Sequence, residues 1–101
     1  MIEYEGNKYE LKYSLKRIEI IENAMKKSIM SCLQNGFMSI NELTICTLYG
    51  MKKEGADAFL DPKKAKTIVE DILSEDGSYY MLIDKVAEAL ERDCPFFFPA
   101  G

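Results

Sequence analysis

Apolar residues recur at every second position near the start of the chain and at every third or fourth position from residue 15 onward. A period of two belongs to half-buried strands and a period near 3.6 to amphipathic helices, so this change restricts the fold to a short β element followed by helices. In the first stretch, Ile2 and Tyr4 share one strand face, and Tyr9 and Leu11 share one face of a second strand. Gly6-Asn7 lies between them and suits the positive φ angles of a tight two-residue turn, which predicts a β-hairpin over residues 1–12.

Ser14 caps the first expected helix, whose Leu15, Ile18, Ile21, Ala24 and Met25 form one inward stripe opposite Lys16, Glu19, Glu22 and Asn23. Residues 28–37 are ambiguous: Ile29, Met30, Cys32 and Leu33 fit either a short helical turn or an extended link, with Gly36 ending it. Ser39-Ile-Asn-Glu42 matches a capping box, and the helix it opens is expected to run to about Lys53. Ile40, Leu43, Thr47, Leu48 and Met51 would face inward, with Gly50 an interior cost of up to about 1 kcal/mol. After a break at Glu54–Asp57, Asp61-Pro62 opens a third helix, with a capping carboxylate and a proline whose missing donor is not needed there. Ala65, Ile68, Val69, Ile72 and Leu73 point to its core side. Beyond the Glu75–Gly77 turn, Tyr79, Leu82, Ile83, Val86 and Leu90 mark a fourth helix ending near Arg92. The prolines at 95 and 99 make the remainder an extended apolar tail. The expected class is α+β, mainly helical: an N-terminal β-hairpin (1–12), about four helices (14–92) and an apolar C-terminal tail (93–101), all in one domain of 101 residues.

The chain contains no histidine, which removes the usual general base near neutral pH and the commonest zinc ligand. Its six glycines never reach the spacing of a phosphate-cradling loop. Neighbouring carboxylates such as Glu70-Asp71 and Glu75-Asp76 diverge on a helix and read as solvated surface. Cys32, Cys46 and Cys94 are too few and too scattered for a thiolate metal site or a C-x-x-C redox pair, and read as small buried hydrophobes. No catalytic, cofactor-binding or metal-binding residues are expected, and the protein is not expected to be an enzyme. A net charge of -4 argues against nucleic acid as a partner, because phosphate contacts need a concentrated basic excess. Lys26-Lys27, Lys52-Lys53 and Lys63-Lys64-x-Lys66 sit near expected helix ends and read as solvated termini. With no apolar run near the roughly 20 residues of a membrane span, no leader segment and an odd number of cysteines, a soluble cytoplasmic protein with reduced thiols is expected.

Phe96, Phe97 and Phe98 stand apart from this pattern. Three consecutive phenylalanines between prolines would each bury about 150–250 Å² if covered. Two covers are open: the tail folds back on its own helical core, or it docks on a partner or a second copy. Under the second reading Phe96, Phe97 and Phe98 are the protein-binding residues.

Tyr9–Glu19 (YELKYSLKRIE), Leu48–Lys52 (LYGMK) and Val86–Leu90 (VAEAL), in this order of elements, resemble the tail assembly chaperones of long-tailed bacteriophages and of prophages in Gram-positive bacteria. The resemblance spans nearly the whole chain. It implies a non-enzymatic helper in the cytoplasm of the host bacterial cell. Such a helper binds the tape-measure protein and keeps it soluble while tail-tube subunits assemble around it, with no nucleic acid or membrane partner and with room for a homo-oligomer. The alternative is a structural phage subunit, for tail completion or the head–tail connection, that stays in the particle.

Overall fold

The computed structural model describes residues 1–36 and 38–98. Its hairpin turns one residue earlier than the sequence suggests. Strand β1 (Ile2–Tyr4) pairs antiparallel with β2 (Asn7–Leu11), and the turn residues are Glu5 and Gly6, at φ 48° and 78°. Asn7 is thereby freed to open β2. Moving a two-residue turn by one position shifts the pairing by two residues, which leaves every side chain on its expected face. Ile2 and Tyr9 are accordingly opposite each other and both buried.

Helix α1 (Leu15–Met25) starts where expected, the Ser14 hydroxyl accepting the Arg17 amide at 3.2 Å. The ambiguous segment is a helix, α2 (Ile29–Gln34), because Ser28 caps it and the Glu22 carboxylate accepts the Ile29 amide at 2.9 Å. Ser39 and Glu42 form the reciprocal capping box of α3 (Ile40–Leu48), which packs against α1, α4 and α5. Ala24, expected on the inward stripe of α1, is exposed. Leu15 and Ile40 also depart from expectation, at 63% and 59% exposed. Each occupies the first helical position, and helical side chains lean toward the N-terminus, so both project past the core.

Helix α3 stops at Leu48 instead of continuing to Lys53, and Met51–Lys53 becomes a third strand, β3, antiparallel to β2. The sheet order is β1-β2-β3. Gly50 is therefore no helix-interior cost. It is a point of close approach: a β-carbon there would lie 2.6 Å from the Tyr13 ring. Tyr13 is buried, with its hydroxyl donating to the Cys46 carbonyl at 2.7 Å and its amide donating to Asp93 at 3.0 Å. Continuing the helix would displace this ring and leave the second edge of β2 without a partner.

Asp61 caps α4 (Pro62–Leu73), accepting the Lys64 amide at 3.2 Å. Gly77, at φ 73°, turns the chain into α5 (Ser78–Asp93). The inward stripes hold: Ala65, Ile68, Val69 and Ile72 of α4 and Leu82, Val86 and Leu90 of α5 are buried with Leu43, Cys46 and Met51 in one core. Among the described residues no helix is long and apolar enough to cross a membrane. The tail is extended at Phe98, but Pro95–Phe97 forms one turn of 3-10 helix, which proline tolerates at a first position that needs no donor. Pro99–Gly101, the rest of the expected tail, lies outside the described residues.

Candidate protein-contact surfaces

The aromatic triplet is held by the end of α5. The Cys94 amide donates to the Leu90 carbonyl at 2.8 Å, and Phe97 and Phe98 return amides to Cys94 and Pro95 at 3.1 and 3.0 Å. Cys94 is buried, and Phe97 packs against the core. Its ring lies 4.9 Å from that of Phe96 and 6.5 Å from that of Phe98. Phe96 and Phe98 are 50% and 37% exposed. Phe97 is thus partly buried against the protein's own core, while Phe96 and Phe98 face solvent.

The sheet supplies a second surface. The Lys8 carbonyl accepts the Glu54 amide at 3.0 Å and the Lys12 amide donates to Gly50 at 2.8 Å, so the even-numbered residues of β2 face β3. Asn7, Tyr9 and Leu11 must then face β1, which makes Ile2–Tyr9 and Tyr4–Asn7 the hydrogen-bonded pairs and turns the Glu3 amide and carbonyl outward. Leu11 lies beyond the end of β1, and the Arg92 guanidinium fills the gap by donating to its carbonyl. Arg92 also grips Asp93 at 2.8 Å and holds that carboxyl below its usual range, helped by the Tyr13 amide.

A groove of about 620 Å³ runs beside β1, bordered by Asp71 and Ile72 of α4, by Glu75 of the turn that follows, and by Met81 and Lys85 of α5. The Tyr4 hydroxyl donates to the Asp71 carboxylate across it, and this bond pushes the phenol up to about 12. Asp71 is thus separated in role from Glu70, although both are exposed. A smaller apolar cleft, about 180 Å³, lies between α2 and α5 and is lined by Cys32, Leu33, Met38 and Ile83.

The remaining reactive groups are spent on packing. All three cysteines are free thiols and buried. Burial raises each above its ordinary value, Cys46 to about 12, which suppresses the thiolate. Among the described residues no three carboxylate or thiol groups gather closely enough to hold a metal ion. One lysine of each basic pair is engaged locally: Lys27 meets Glu42 at 2.7 Å and Lys52 meets Glu10 at 3.6 Å, while Lys63, Lys64 and Lys66 lie exposed in the first half of α4.

Sequence reasoning found the aromatic triplet and missed the groove beside β1. Its only signal was the charged centre of a very short strand, Ile-Glu-Tyr, a pattern that also serves to blunt sheet edges. The participation of Asp71, far away in sequence, could be read only from the packing. Compared with known protein families, with curated proteins and with solved structures, the chain matches none.

Proposed function

We propose that this protein is a non-enzymatic tail assembly chaperone that works in the host cytoplasm, binding a tape-measure protein and assisting tail-tube assembly. The observation that carries the reading is the display of Phe96 and Phe98 on either side of Phe97, which is anchored to the core. A chaperone for a long client needs exposed apolar anchors on a rigid support, because paired aromatics give large contact area at low entropic cost. The resemblance carried by Tyr9–Glu19, Leu48–Lys52 and Val86–Leu90 names the client class.

The test is co-expression with the tape-measure protein of the same genome, comparing the intact chain with the double variant Phe96→Ser, Phe98→Ser. Truncation after Arg92 would be a poorer probe, because it would also remove the buried Cys94 and the Phe97 anchor. The intact chain is expected to bring the client into the soluble fraction and co-purify with it, whereas the double variant, melting at an unchanged temperature, loses both effects. A client that neither binds nor changes solubility, together with recovery of this protein in purified particles, would replace the reading with a structural tail-completion or connector subunit.

A further inference from the structure

We propose that the open rim of β1 takes up an extended, lysine- or arginine-bearing segment of a partner protein as a fourth antiparallel strand. The opposite rim of the sheet is already occupied, since Lys52 of β3 bridges to Phe59 and the Leu60 amide donates to the Met51 carbonyl at 3.1 Å. On β1, the Glu3 amide and carbonyl point away from β2 and have no hydrogen-bond partner among the described residues. An added strand would pair with them as β2 pairs with Ile2 and Tyr4.

The charge around the rim selects the occupant. Glu3, Glu5, Asp71 and Glu75 border the groove against the single side-chain cation Lys85. Carboxylates still outnumber cations when the Met1 amino group is counted. A second copy is disfavoured on the same grounds: the fully overlapped antiparallel pairing of two β1 rims is centred on Glu3, which sets one Glu3 directly against the other, a destabilising arrangement on one sheet face. In an added strand, the residue opposite Glu3 shares the solvent face with Glu3 and Lys8, and a cation there faces a carboxylate. Its neighbours turn to the inner face, over Ile72 and Met81, where apolar side chains fit between Asp71 and Glu75. The recognised pattern is therefore an alternation of basic and apolar residues. This surface is independent of the aromatic pair at the other end of the chain.

The probe is a fluorescein-labelled octapeptide of alternating lysine and valine, followed by fluorescence anisotropy, with the glutamate–valine octapeptide as its counterpart. Two variants are compared with the natural chain: Glu3→Pro, which removes the outward amide and leaves the β1–β2 ladder intact, and Glu3→Lys with Glu75→Lys. The lysine peptide is expected to bind, to slow hydrogen exchange at the Glu3 amide and to weaken at least about tenfold in both variants. The charge-reversed variant should then prefer the glutamate peptide. If Glu3→Pro fails to fold, the reversal of preference decides alone. No binding at millimolar peptide, equal binding of both peptides, or binding unchanged by the charge reversal would overturn the proposal. A dimer in sedimentation that protects the Glu3 amide without peptide would also overturn it, by making a second copy the occupant.

Discussion

The two rims of the three-stranded sheet are built on opposite plans. At the β3 rim the chain covers its own edge: Phe59 and Leu60 close over Met51 and Lys52, and the Arg17 guanidinium lies 3.7 Å from the centre of the Phe59 ring while its Nε donates to the Tyr49 carbonyl at 2.8 Å. At the β1 rim the strand is three residues long, its centre is Glu3, and the space beside it is a groove bordered by carboxylates. Both edge strands are three residues long, but one edge is protected by packing and the other by charge. Packing makes a rim part of the cooperative core, while charge leaves the edge accessible and restricts which strands can join it.

If that contrast is right, the largest loss of stability should come from disturbing the packed side. Gly50→Ala places a β-carbon 2.6 Å from two Tyr13 ring atoms and 2.9 Å from its hydroxyl. The ring is restrained, being 5% exposed and hydrogen-bonded through its hydroxyl to the Cys46 carbonyl. Overpacking of this kind costs about 1–3 kcal/mol, and the enclosed aromatic places this site toward the upper end. Urea unfolding should show a lower midpoint at an unchanged slope. An unchanged midpoint would mean that β3 and Tyr13 separate easily, and the contrast between the rims would fail.

The next step down is Arg17→Ala, which removes the cation–π contact with Phe59 and the bond to the Tyr49 carbonyl. A loss of about 1–3 kcal/mol is expected, less than for Gly50→Ala because Arg17 is only partly buried. The sharper readout is hydrogen exchange: the Leu60 amide, bonded to Met51 in the natural protein, should exchange faster, while the β1 amides keep their rates. The variant would thus make the covered rim resemble the open one.

Much of this contrast was invisible in the sequence, and the reasons are physical. The helix starts at Ser14, Ser39 and Asp61 were legible because a cap is a local contract between one side chain and an amide three residues on. The hairpin was legible for the same reason, and its one-residue error in the turn cost nothing because side-chain alternation survived. Strand β3 was not legible: Leu48–Met51 continues a plausible helical stripe, and only distant contacts, the Tyr13 ring packed on Gly50 and the pairing with β2, oppose it. The aromatic triplet announced itself by composition, yet its division into one anchor and two exposed rings depends on the 3-10 turn at Pro95. The groove beside β1 joins Glu3 to Asp71 and Glu75, a pairing that no local pattern encodes.

The smallest effect belongs to the open rim itself. Tyr4→Phe removes the hydroxyl that donates to Asp71, an exposed bond, so the melting temperature near neutral pH should fall only slightly. Its consequence appears in alkali. The Tyr4 phenol is raised from 10.0 to about 12, so its proton is held more tightly in the folded protein than in the unfolded chain. That preference contributes its full stabilisation below pH 10 and is lost as pH climbs toward about 12, where the folded phenol ionises as well. Tyr13, also raised by burial, is present in both proteins and cancels from the comparison. Thermal melts across this range should therefore fall more steeply for the natural chain than for Tyr4→Phe, the two curves converging at the alkaline end. Parallel curves, with no tyrosine missing from the late part of the ultraviolet titration, would mean that Tyr4 and Asp71 do not meet in solution. The groove beside β1 would then lack the link that ties it to α4.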